Sequence, residues 1–239
     1  MDDDLKKKLD ELVKNADYIV SNPDTLEKMK ARGLPIKSVF TTYNEYLDKL
    51  FEEKRKISDS LIKKLPRLDE NIANATIQSL YDELKQCFVL GIPGAGITLA
   101  VILLELALKY RLFEERVKSD KNSPWEHIEQ LDFTKVVNIL KNQKVITLEE
   151  KKELDKFNEE TRNPYIHYNI KKLLKDVVAT ELPSINIETG EVVIHRNIKA
   201  TDYPHLWFSA KKVRDKQSIE TIVNFCIFWG NKLLSKTKK

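Results

Sequence analysis

Over most of the chain apolar residues recur every three or four positions, the spacing of a helix with one buried face. Leu5, Leu9, Leu12, Val13 and Ala16 alternate with Lys, Asp and Glu and predict an amphipathic helix over residues 5–18. Asn22-Pro23-Asp24 predicts a turn and a helix start, with Asp24 and Glu27 at capping-box spacing and Gly33 closing that short helix. From Pro35 to about Leu65 a narrow stripe of Val39, Tyr43, Tyr46, Leu47, Leu50, Ile57, Leu61 and Leu65 predicts one long helix, ended by Pro66. Glu52, Lys54, Arg55 and Lys56 form a solvated interruption in it. Such a stripe suits packing against one neighbour or a second copy. Residues 1–66 are therefore expected to form an N-terminal helical extension, and residues 67–239 the main bundle.

Ile72, Ala75, Leu80, Leu84 and Phe88 predict a helix over 72–90, and Gly91-Ile92-Pro93-Gly94 a turn. An apolar helix follows from Ala95 to Val117 with one carboxylate, Glu105, inside it. A lone carboxylate there must find a cation or reach water at the helix edge. The uncharged run from Cys87 to Leu104 is broken by the turn, and its helical part is shorter than the roughly twenty residues of a membrane span. It reads as the central helix of a soluble bundle.

Ser123 and Glu126, and Thr147 and Glu150, have capping-box spacing, and Asp132–Leu140 between them is helical. The helix opened at Thr147 runs through Leu154, Phe157 and Thr161. Pro164 lacks an amide hydrogen and disfavours helix at Asn163, so this helix should stop or kink there and resume through Leu173, Leu174 and Val177 to Leu182-Pro183. Period-two alternation in Ile185, Ile187, Val192 and Ile194 around Thr189-Gly190 predicts a β-hairpin at about 184–198. Tyr203–Phe208 is an aromatic loop, Lys211-Lys212-Val213-Arg214 a basic cluster, and Ser218–Leu234 the last helix. The expected fold class is mainly α, with a small β-hairpin near the C-terminus.

Composition changes this picture little. The 239 residues are 41% hydrophobic and 33% charged with only 6 Gly and 8 Pro, which fits a helix-rich domain with a real core. A net charge of +4 permits a nucleic-acid partner without making the chain a dedicated basic arm. Cys87 and Cys226 lie in apolar runs, without disulfide or metal-ligand spacing, and read as buried thiols in a reducing cytosol. The acidic N-terminus does not resemble a signal peptide, so a cytoplasmic location is expected. His127, His195 and His205 are scattered, no zinc or phosphate-loop motif occurs, and neither metal nor cofactor is expected.

The chemistry concentrates in Arg162-Asn163-Pro164-Tyr165-Ile166-His167. A permanent cation, an orienting amide and a group that titrates near neutrality suit a metal-free phosphodiester-cleaving site. Such cleavage needs a base for the 2′-hydroxyl proton, an acid for the departing oxygen and a cation for the phosphorane. His167 suits either proton role, Arg162 the third, and Asn163 can orient the phosphate or the imidazole. In an unbroken helix Arg162 and His167 would lie about 140° apart. A kink at Pro164, or two copies across a twofold axis, would bring the roles together. The plain alternative is a surface ion pair of Arg162 with Glu159 or Glu160 and a packed histidine. Tyr168 and the cluster of Lys211, Lys212 and Arg214, which follows His205-Leu206-Trp207-Phe208, form a candidate substrate-binding set mixing aromatic and basic side chains. Aromatics packed on the bundle with lysines in water are the other reading.

The run Glu159–His167 resembles the R-N-x3-H signature of the HEPN superfamily (higher eukaryotes and prokaryotes nucleotide-binding), and Gly91–Ala100 running into Leu104–Lys109 resembles the central helix of its bundle. The resemblance covers roughly residues 70–180. It implies a dimerising α-helical bundle, a metal-independent endoribonuclease cleft with Arg162 and His167 as the catalytic pair and Asn163 in support, RNA as substrate, and an antitoxin or phage-defence partner. One subgroup carries a modified tyrosine two places after the histidine; Asn169 stands there, so that regulation is not implied. The alternative function is a non-catalytic helical module binding a nucleotide, an RNA or a protein partner.

Overall fold

A computed structural model describes residues 43–185 and 192–235, and these are mainly helical. The helices expected over 5–18 and 22–33, the start at Pro35 and the Thr189-Gly190 turn lie outside the described residues. The elements are α1 (Tyr43–Lys64), α2 (Ala75–Val89), α3 (Pro93–Ser119), α4 (Glu126–Glu129), α5 (Phe133–Asn142) and α6 (Leu148–Phe157). A π turn (Asn158–Arg162), α7 (Asn163–Ile166) and α8 (Ile170–Leu173) follow. Then come β1 (Val178–Ile185), β2 (Val192–Lys199), two 3-10 turns (Ala200–Asp202 and Pro204–Leu206) and α9 (Trp207–Leu234). No helix among the described residues is long and apolar enough to cross a membrane.

The chain divides into two compact units. One holds the described residues up to Glu52 together with Val178–Ile198; the other holds Glu53–Val177 and the described residues from Lys199 onward. In the first, β1 and β2 form a two-stranded antiparallel sheet, and Glu181 and Arg196 form an exposed ion pair across it at 3.7 Å. The first strand starts at Val178, where helix was expected to continue to Leu182-Pro183. Proline does not terminate the element because a strand with one free edge can leave the missing amide unpaired. Val177, Val178 and Thr180 are β-branched, which favours the extended chain.

The second unit is a helical bundle centred on α3, which packs against both α9 and α2. Ile97, Ala100, Val101, Leu103, Leu104, Ala107, Leu108 and Leu112 of α3 are buried, beside Ile77 and Leu84 of α2 and Val223, Cys226, Ile227 and Trp229 of α9. Cys226 is fully buried, whereas Cys87 is half-buried and not the enclosed thiol expected. Burial pushes both thiols above their ordinary pKa, with the Glu83 charge adding to the shift at Cys87.

Caps fix the helix ends. Asn74, rather than Ile72, starts α2 by accepting from the Ile77 amide. Asp132 caps α5 through the Lys135 amide at 2.8 Å. Thr147 and Glu150 form the expected reciprocal box, at 3.2 and 2.6 Å. Ser123 does not cap α4, which begins after Trp125 without a side-chain cap. Proline at its first turn starts α3 at Pro93, two residues before the expected Ala95. Helix α9 begins at Trp207, eleven residues before the expected Ser218, so the basic cluster lies on a helix rather than in a loop.

Close approach of helices falls on glycine. A Cβ at Gly96 would stand 3.0 Å from Ile219 Cδ1 and 3.7 Å from both Cys87 Cβ and Leu84 Cδ1, where α2, α3 and α9 meet. Gly96→Val is therefore expected to lower stability by about 1–3 kcal/mol, read as a lower denaturant midpoint with an unchanged slope. A midpoint at the parent value would show that the interface yields freely. Glu150 ties α6 to α9 through Lys232, whose ammonium, followed by the Thr147 amide, holds the Glu150 carboxyl below its usual range. A depressed carboxylate stabilises the fold above its unfolded pKa, and that stability is lost as pH falls through the folded pKa. Glu150→Gln should thus be less stable than the parent at pH 7, and urea titrations should show the gap closing below about pH 4.

Candidate active site

The motif segment is built around an exception to helix geometry. An α ladder through residue 164 would require an amide hydrogen that proline lacks, and would press its ring on a preceding carbonyl. The chain instead widens into the π turn Asn158–Arg162, and the Asn163 amide bonds to the Asn158 carbonyl. Pro164 then falls in the first turn of α7, where no intrahelical donor is demanded. Of the expected stop or kink at Asn163, the helix does not stop there but widens just before it. It ends at His167, whose amide reaches the Asn163 carbonyl at 3.0 Å. Tyr168 takes φ +47°, a left-handed conformation that costs a non-glycine residue about 1–2 kcal/mol.

Arg162 is turned toward α3. Its Nε and Nη2 donate to Glu105 Oε2 at 3.2 and 2.8 Å, and Nη1 donates to Asn163 Oδ1 at 2.9 Å. The guanidinium carbon also lies 5.8 Å from the centre of the Phe133 ring. The Arg162 side chain is 16% exposed and that of Glu105 22%. The same carboxylate takes Lys109 at 3.2 Å through Oε1, and Lys109 donates onward to the Glu129 carbonyl at 3.0 Å. Of the two fates open to Glu105, the structure assigns the arginine. Glu159 and Glu160 are exposed and do not pair with it. One carboxylate between two cations leaves a formal charge of +1, and a guanidinium with five N–H donors has two beyond the three bonds described. Arg162 is thus held in a fixed pose with donors in hand.

His167 is exposed, and among the described residues no hydrogen bond joins it to Arg162. Pro164 therefore does not bring the two side chains together within one chain. The π turn ends at Arg162, so the chain from there to His167 remains helical.

Beside the motif lies a second cluster. Asp215 of α9 is the one buried charged residue among those described. Its Oδ1 accepts from the Tyr165 hydroxyl at 2.8 Å and its Oδ2 from Lys211 Nζ at 2.5 Å. Lys211 Nζ lies 5.3 Å from the centre of the Tyr165 ring and 5.6 Å from that of Tyr168. Burial, then the bond to Asp215, raises the Tyr165 phenol far above its ordinary pKa, which keeps its proton on the donor oxygen. Gly94 leaves the room: a Cβ there would stand 2.8 Å from Asp215 Oδ2 and 3.2 Å from Lys211 Nζ. Lys211 is therefore not a lysine waiting in water.

Lys212 is exposed and Arg214 half-buried. Lys54, expected to be solvated, donates to the Gly91 carbonyl at 3.1 Å. Burial, followed by the charges of Lys216 and Lys212, lowers its pKa. These lysines make a basic patch at the start of α3. Asp215, Glu105 and Lys54 complete the constellation; only Glu105 carried a visible signal, a carboxylate in an apolar run. No protein-family model, curated protein or solved structure matches this chain.

Removing Glu105 leaves Arg162 desolvated without its counter-charge. Glu105→Ala should cost about 1–2 kcal/mol, between exposed and buried ion pairs. A double-mutant cycle with Arg162→Ala, followed by urea unfolding, should show coupling of about 1 kcal/mol. Strictly additive losses would mean the pair contributes position without stability.

Proposed function

We propose that this chain is a metal-independent endoribonuclease of HEPN type, acting as a dimer in which Arg162 and His167 of two copies share one cleft. The observation that carries the reading is the pose of Arg162: Glu105 and Asn163 fix its guanidinium at the end of the π turn while His167, five residues on, is exposed.

In this scheme the spare N–H donors of Arg162 bind the non-bridging oxygens of the scissile phosphate and stabilise the phosphorane. A neutral His167 takes the proton of the 2′-hydroxyl, whose oxygen attacks phosphorus. A protonated His167 from the other copy gives its proton to the departing 5′-oxygen. The products are a 2′,3′-cyclic phosphate and a 5′-hydroxyl, so the step consumes no water. Asn163 orients Arg162. The reading includes a toxin or phage-defence setting with a partner protein that restrains or triggers the activity.

A second reading is favoured by the same ion pair. Glu105 pairs with Arg162 within its own chain, as suits a non-catalytic module in which the motif locks α7 to α3 and the bundle binds a nucleotide, RNA or protein.

Incubating a mixed RNA with the parent, His167→Ala and Arg162→Lys in EDTA separates the two. The lysine variant keeps a charge opposite Glu105 but loses the planar fork. Cyclic-phosphate ends from the parent, with activity falling at least about a hundredfold in both folded variants, support the nuclease. Undiminished cleavage by the variants, or no cleavage by the parent, rejects it.

A further inference from the structure

The feature that the cleavage scheme leaves unused is the tyrosine directly after the proposed catalytic histidine. Tyr168 is 64% exposed yet not loosely held. Its backbone is fixed in the left-handed region at φ +47°, and the next residue, Asn169, caps α8 by accepting from the Lys172 amide at 3.1 Å. The Lys211 ammonium lies against its ring. That ammonium is in turn tied to buried Asp215, which also holds Tyr165. A buried carboxylate thus positions a cation, and the cation positions an aromatic ring that is mostly in water. Nearby in sequence, Phe208 lies one turn before Lys211 and Lys212 on α9 and is 80% exposed. The basic patch of Lys54, Lys212 and Lys216 lies at the start of α3, the helix whose Gly94 abuts the same Asp215 and Lys211.

An exposed ring backed by a cation and set near further lysines is the arrangement that recognises an unpaired base on a negatively charged backbone. A base inside a duplex presents no free face to such a ring. We propose that Tyr168 is a base-stacking platform that receives an unpaired base of single-stranded RNA next to the cleaved phosphate, with Asp215 and Lys211 as positioning residues that hold its ring. This rests on the nuclease reading for the identity of the neighbouring phosphate, but stacking itself can be tested without cleavage.

The experiment is fluorescence anisotropy with the full chain and a labelled 2′-O-methyl oligoribonucleotide, which lacks the attacking hydroxyl. It is presented as a single strand, as a duplex and as a strand of abasic residues. Tyr168→Asn removes the ring with a residue that tolerates the left-handed backbone, and Tyr168→Phe keeps the ring. The parent should bind the single strand at least about tenfold more tightly than the duplex or the abasic strand. Tyr168→Asn should lose about tenfold on the single strand alone, Tyr168→Phe should match the parent, and Asp215→Asn should fall between them. Equal binding by the parent and folded Tyr168→Asn, a preference for duplex, or no binding by the parent would overturn the proposal. Tyr168-dependent binding without cleavage in EDTA would retain the platform and reject the nuclease. Cleavage with Tyr168-independent binding would do the reverse.

Discussion

A guanidinium drawn most of the way out of water has to be met by a carboxylate, and the Glu105–Arg162 pair is where this fold meets that demand. Glu105 sits within the central helix, between buried Leu104 and half-buried Leu106, so it must turn toward the segment that brings its partner. Arg162 arrives there because the helix carrying it widens just before Pro164. Lys109 takes the other carboxylate oxygen and reaches the α4 carbonyl of Glu129. One ion pair thereby locates the motif against the helix around which the bundle is packed.

The two polar clusters behave differently because their solvation differs. Around Glu105 two cations meet one anion, with donors left over for a ligand. Around Asp215 one cation meets one anion, and a phenol supplies the remaining bond. The first can still bind an anionic group. The second carries no net charge, and its value lies in rigidity: it fixes Tyr165, and with it the short helix between Arg162 and His167.

Much of the bundle was legible in the sequence. Period-3.6 apolar spacing located α2, α3, α5 and α6, and the Thr147–Glu150 box marked a helix start to the residue, because a cap is a local interaction between neighbours in the chain. The start of α3 moved because Pro93 opens a helix as readily as it closes a turn. The starts of α9 and β1 were displaced because aromatic and β-branched residues there fit more than one local structure, and packing decides between them. Arg162, Asn163 and His167 stand out by residue type. Their partners do not, since Asp215 looks like one more acidic residue in a charged helix until Tyr165 and Gly94 arrive from elsewhere in the chain. The π turn was invisible for the same reason that proline suggested a stop or a kink: each accommodates the same missing hydrogen, and only the surrounding contacts choose the wider turn.

That turn also bears on the chain's tolerance for length. A π turn closes its hydrogen bond over five residues where an α turn uses four, so Asn158–Arg162 carries one residue more than an α ladder needs. Losing one residue there would let the turn close as an ordinary α turn with α6 still in register, but would press the Pro164 ring on the carbonyl that the wider turn clears. The extra residue thus serves the proline rather than the length of the helix.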